Sequence, residues 1–73
     1  MSNTLIKDDP AAELRRLEAT NFFRDKPADQ SQSAYIYNVA LREAKRFGTE
    51  DYLASHYARL AARVGLMERR ATA

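Results

Sequence analysis

Seventy-three residues with a formal net charge of +2 and no cysteine describe one small domain held together by packing, without disulfides or thiolate metal sites. Two glycines are too few for a phosphate-cradling loop, and no run of about 18 apolar residues is present to span a membrane. The order Met1-Ser2-Asn3-Thr4 lacks the basic-then-apolar pattern of a signal peptide, so the expected setting is the cytoplasm, with no membrane partner.

Met1 to Lys7 has no periodicity beyond Leu5-Ile6 and reads as a loose end. Asp8-Asp9-Pro10 is a helix start, with Asp9 as the cap and Pro10 at the first helical position, where its missing amide costs nothing. The helix that follows, about residues 10–20, turns Ala11, Leu14, Leu17 and the stem of Glu18 inward. Three turns are unstable alone in water, so its leucines must pack on something. Thr20-Asn21-Phe22-Phe23 ends it, and the two phenylalanines read as a plug against what comes next. Arg24 to Gln32 is polar, contains Pro27 and reads as a loop that lets the first helix fold back.

From Ser33 to Met67 two apolar-periodic arms flank a Phe47-Gly48-Thr49 break. On the first arm, about residues 31–47, Ile36, Ala40, Ala44 and Phe47 form one row and Tyr37, Leu41 and Ala44 a neighbouring one, a face wider than one partner helix needs. Gly48 is suited to a left-handed helix end and Thr49 to capping the next helix. On the second arm, about residues 49–68, Leu53, Tyr57, Leu60, Val64 and Met67 alternate at four and three, the spacing of a coiled-coil seam. One position further, Ala54, Ala58, Ala61 and Gly65 make a strip of small residues along which another helix can approach closely. Glu68 to Ala73 reads as a loose polar tail. The expected fold is an all-α domain spanning 1–73: a short N-terminal helix packed on a two-helix antiparallel hairpin, with a homodimer as one means of covering the surplus apolar face.

No constellation carries catalysis. His56 is the only histidine, and its neighbours at four residues either way are Tyr52 and Leu60, neither of which makes a nucleophile pair or a metal site. Glu50 and Asp51 are adjacent and diverge on a helix, so they form no carboxylate dyad. The expectation is therefore no enzyme, no cofactor and no metal.

Charge and aromatics point to a macromolecular partner. Residues 1–40 carry five Lys/Arg and six Asp/Glu, and residues 41–73 carry seven and four, so the cationic surplus lies on the hairpin and tail. Tyr35 and Tyr37 cannot face the same core, because residues two apart on a helix diverge by about 200°. Exposed tyrosines beside arginines are frequent interface anchors. The expected role is a small adaptor, regulator or inhibitor, an accessory protein of the kind bacteria and phages carry, binding a protein through Tyr35, Tyr37, Tyr52, Ala54, Ala58, Arg59, Ala61 and Arg63.

The alternative is a nucleic-acid-binding regulator using Arg42, Lys45, Arg46, Arg59 and Arg63. Leu41-Arg42-Glu43-Ala44-Lys45-Arg46-Phe47-Gly48 resembles the first helix and turn of a DNA-binding helix-turn-helix, with small Ala44 four residues before the glycine. The remainder departs from that pattern. Thr49 replaces the usual aliphatic residue, Ala54 is small at the anchor position, and Glu50 and Asp51 would face the phosphates. A basic helix face presented to RNA is the other form of this alternative.

Overall fold

The computed structural model describes residues 9–72, which form three helices: α1 (Pro10–Ala19), α2 (Gln32–Phe47) and α3 (Tyr52–Thr72). The expectations for Met1 to Lys7 and for Ala73 fall outside the described residues. Each helix boundary has a local cause. Asp9 Oδ1 accepts hydrogen bonds from the amides of Ala11 and Ala12 at 3.1 and 3.4 Å, and Pro10 stands at the first helical position. At the other end of α1, Asn21 takes φ +64°. There the Phe22 amide donates to the Leu17 carbonyl at 3.0 Å and the Asn21 amide to the Glu18 carbonyl at 3.2 Å. This double closure is a Schellman motif, and its usual apolar partners, Leu17 and Phe22, meet in the core.

Between α1 and α2, Lys26 Nζ donates to the carbonyls of Pro27 and Gln30 at 3.1 and 2.6 Å and ties the loop to itself. Ser31 then caps α2, its Oγ accepting from the Ala34 amide at 3.2 Å. Ser33 instead reaches across the hairpin: its amide and its hydroxyl both donate to the Glu68 carboxylate, at 3.1 and 2.6 Å. A carboxylate from the far end of α3 thus satisfies an open amide in the first turn of α2, where the helix dipole favours negative charge.

That bond also defines the topology. The start of α2 meets the end of α3, and the two are joined at the other end by the Gly48 turn, so they lie side by side and antiparallel. A DNA-binding helix-turn-helix would instead cross at roughly 90–120° and carry these ends apart. The resemblance stops at the turn.

The turn itself differs from expectation. Gly48 adopts φ 99° and ψ 157°, a region essentially confined to glycine and distinct from the left-handed helical one. α3 begins at Tyr52, not Thr49, because Asp51 Oδ2 accepts from the Ala54 amide at 3.1 Å and takes the capping role. Glu50 and Asp51 consequently precede the helix. At the other end α3 continues to Thr72, so the tail expected to be loose from Glu68 onward is helical as far as Thr72. Arg69 and Arg70 occupy its last turn, where cations suit the dipole.

The core gathers Leu17, Ile36, Leu60, Ala61 and Val64, with Leu14, Phe22, Phe23 and Tyr57 packed around it. Ile36 and Val64 are fully buried, and removing side chains of this size from water stabilises the fold by about 1.5–3 kcal/mol each. The middle of the predicted seam is thus correct and its start is not. Leu53 remains 42% exposed and Phe47 62% exposed, both at the turn end of the hairpin. Phe22 and Phe23 do form the plug. They make edge and tilted contacts with Tyr35 at 5.6 and 5.8 Å between ring centres, and Phe22 lies 5.4 Å from Tyr57. Glu18 faces outward, its carboxylate accepting from Gln32 Nε2 at 3.1 Å.

Candidate interaction surfaces

Three separate surface depressions contain most of the side chains singled out from the sequence, Tyr35 and Ala54 excepted. The first is an open groove between α2 and α3, with no residue of α1 in its lining. Ala58, Ala61 and Gly65 form its floor, and Tyr37 and Leu66 stand at its edges, 51% and 47% exposed. A methyl group at Gly65 would approach only the Ser33 side chain, at 3.8 Å, so the two arms come close together here without touching tightly. Leu41, 48% exposed, is one turn beyond Tyr37 on α2 and continues the apolar rim.

The second depression is a cleft of about 250 Å³ between α1 and α3, lined by Pro10, Glu13, Tyr52, His56, Arg59, Leu60 and Arg63. Glu13 organises it. Its carboxylate pairs with Arg16, with Arg16 Nε 3.1 Å away, and also lies 3.1 Å from His56 Nε2, so one group joins α1 to α3. The Arg16 guanidinium, foremost, and the His56 contact hold the Glu13 carboxyl below the usual carboxylate range despite the opposing effect of burial. The same pair raises the Arg16 guanidinium above its ordinary value. Tyr52, exposed, stacks on the His56 ring at 6.0 Å, and burial pushes the neighbouring Tyr57 phenol up.

The third is a shallow surface near the end of α2, lined by Val39, Arg42, Glu43, Lys45 and Arg46.

The predicted partner-binding residues are therefore divided. Tyr37, Ala58 and Ala61 belong to the groove, Tyr52, Arg59 and Arg63 to the α1/α3 cleft, and Tyr35 to the aromatic plug under α1. Ala54 is only 5% exposed. The small-residue strip is partly spent inside the hairpin, with Ala54 and Ala61 buried and only its flank, Ala58 and Gly65, half open. The five predicted nucleic-acid contacts are split as well. Arg42, Lys45 and Arg46 surround the α2 surface, and Arg59 and Arg63 line the cleft against α1.

Comparison with protein-family models, curated proteins and solved structures gives no match. The three surfaces themselves bear on function. Among the described residues no group of three or more His, Cys, Asp or Glu could hold a metal ion, and no helix is long and apolar enough to cross a membrane.

Leu66 and Ala62 are not singled out by the sequence pattern, although both line the groove. Leu66 lies off the four-three seam of α3, and a large apolar residue out of phase with its own stripe is the signal that could have found it. The Glu13–His56 and Ser33–Glu68 contacts join residues 43 and 35 positions apart and have no local signal.

Proposed function

We propose that this protein is a small non-catalytic adaptor or regulator, cytoplasmic in setting, that binds another protein through the hairpin face turned away from α1. One observation carries the reading: Tyr37 and Leu66, each about half exposed, line a groove floored by small residues, and half-exposed Leu41 stands one turn beyond Tyr37 on α2. Apolar side chains clustered on one face, with a tyrosine among them, are characteristic of protein-binding surfaces. The competing reading, a nucleic-acid-binding regulator, draws on Arg42, Lys45 and Arg46, which are exposed around a single surface of α2.

The two readings separate in one experiment. The full chain carrying the photo-crosslinking amino acid benzoylphenylalanine in place of Tyr37 is irradiated in the cells that make it, and the adducts are treated with protease or nuclease. A protein adduct that survives a high-salt wash supports the adaptor reading. Adducts shortened by nuclease, or none, overturn it.

A further inference from the structure

We propose that the cleft between α1 and α3 is a binding site for a small aromatic carboxylate, whose ring lies against Tyr52 and His56 and whose carboxylate is held by the Arg59 guanidinium. The site is separate from the α2/α3 groove and independent of what binds there.

One strip of α3 gives the cleft its composition. Tyr52, His56, Arg59 and Arg63 follow one another at spacings of four, three and four, and at about 100° per residue they fall within about 60° of each other around the helix. The strip runs along one flank of the buried seam of Tyr57, Leu60 and Val64, with the small residues Ala58, Ala61 and Gly65 on the opposite flank. α1 contributes Pro10 and Glu13 to the other side of the cleft. Two near-parallel rings, Tyr52 and His56 at an interplanar angle of 13°, therefore share a wall with a guanidinium, while Leu60 and Pro10 add apolar surface. The volume of about 250 Å³ lies just under the range usual for drug-sized ligands, and it holds a body of one or two fused rings.

Charge selects the polar end of the ligand. Glu13 is the one carboxylate in the lining, and both of its oxygens are engaged, by Arg16 and by His56 Nε2, so a cation meets no open acceptor. The neighbouring carboxylates are occupied or lie outside. Asp9 and Asp51 cap α1 and α3, and Glu50 stands in the turn before α3, beyond the lining. Arg59 is exposed at the cleft, and no described residue forms an ion pair with it. Arg63 has an interaction of its own, so one guanidinium is open to a ligand. A planar guanidinium matches a carboxylate through two parallel hydrogen bonds. A phosphate dianion would add two negative charges beside ionised Glu13, which disfavours phosphorylated ligands. The flat Tyr52 and His56 rings favour an aromatic body over an aliphatic one.

The test follows the amide NMR resonances of the full chain while benzoate, naphthoate, benzamide, cyclohexanecarboxylate, phenyl phosphate and inorganic phosphate are added in separate titrations. Benzoate or naphthoate is expected to move the amides of the first turn of α1 and of Tyr52 to Arg63, saturating with a Kd of about 1 mM or below. Benzamide keeps the ring without the charge and should bind about tenfold more weakly or worse, and Arg59→Gln should weaken carboxylate binding by a similar factor. Tyr52→Ala should weaken it about threefold or more. Both side chains are exposed, and circular dichroism verifies that the variants fold. No saturable shift at about ten times that concentration, shifts confined to other surfaces, or an affinity unchanged in Arg59→Gln would each overturn the proposal. So would cyclohexanecarboxylate binding as tightly as benzoate, because the rings would then have no role. Tighter binding of phenyl phosphate, or displacement of benzoate by equimolar inorganic phosphate, would overturn it as well, because the cleft would then be a general anion site.

Discussion

Glu68 accepts both the amide and the hydroxyl hydrogen bonds of Ser33, a residue 35 positions earlier, and so closes the open end of the hairpin that Gly48 closes by covalent connection. Bonds to an ionised acceptor are stronger than neutral ones, and removing the acceptor leaves a half-buried hydroxyl and a first-turn amide without this partner. Glu68→Ala should cost about 1–2 kcal/mol in urea unfolding, and Ser33→Ala somewhat less. In a double-mutant cycle the two should couple by at least about 0.5 kcal/mol. Strict additivity would show that the contact contributes nothing.

The register of the core is tested by contrasting two aliphatic residues. Ile36→Ala empties a fully buried site and should cost about 2–5 kcal/mol, enough to unfold much of a domain this small. Leu53→Ala, at a position 42% exposed, should change stability by no more than about 1 kcal/mol. Comparable losses for the two in thermal or urea melts would contradict the arrangement of α2 against α3.

Acid should loosen α1 from α3. The Glu13 carboxyl is held below its ordinary range in the folded state, first by Arg16 and then by His56. Its unfolded value is the ordinary one, about 4.3. A depressed folded value means the unfolded chain binds the proton more readily, so this contribution is complete above the ordinary value and is lost as pH falls through the folded one. Between about pH 5 and pH 2.5 the melting temperature of the wild type should therefore fall more steeply than that of Glu13→Gln, with the curves converging at the acid end. Parallel curves would remove Glu13 from the acid response. At neutral pH the same substitution should cost under about 1 kcal/mol.

Tyr35 and Tyr37 should behave oppositely. Tyr35 packs its ring on Phe22 and Phe23, so Tyr35→Ala should lose about 2 kcal/mol or more while Tyr35→Phe stays close to wild type. Tyr37 is 51% exposed, and Tyr37→Ala should leave stability within about 0.5 kcal/mol yet weaken partner binding. Thermal melts alongside a binding assay for each variant distinguish the two roles, and equal effects would refute the assignment.

The two glycines make a further contrasting pair. Nothing lies within 4 Å of a methyl group built on Gly48, yet its φ of 99° with ψ 157° strains any other residue, so Gly48→Ala should cost about 1–3 kcal/mol through the backbone alone. Gly65 is helical, and an added methyl meets Ser33 at an ordinary 3.8 Å, so Gly65→Ala should stabilise by up to about 1 kcal/mol. The signs, read from urea midpoints, should differ.

Local chemistry determined much of this protein from sequence. Asp9-Pro10 starts a helix, the Asn21 region stops it, Gly48 divides two arms, and the spacing from Tyr57 to Val64 marks a buried stripe, because each depends on residues within a turn or two of one another. The all-α class and the hairpin follow from those signals. Tertiary structure alone decided which side of the hairpin α1 covers. Periodicity gives the width of an apolar face but not the direction from which a partner arrives, so Tyr35 and Tyr37 were indistinguishable until Phe22 and Phe23 packed against one and left the other at the groove. The same limit applies to charge. Seven cations beyond residue 40 are countable in the sequence, but only the tertiary structure divides them, setting Arg59 and Arg63 in the cleft against α1 and Arg42, Lys45 and Arg46 around a separate surface of α2.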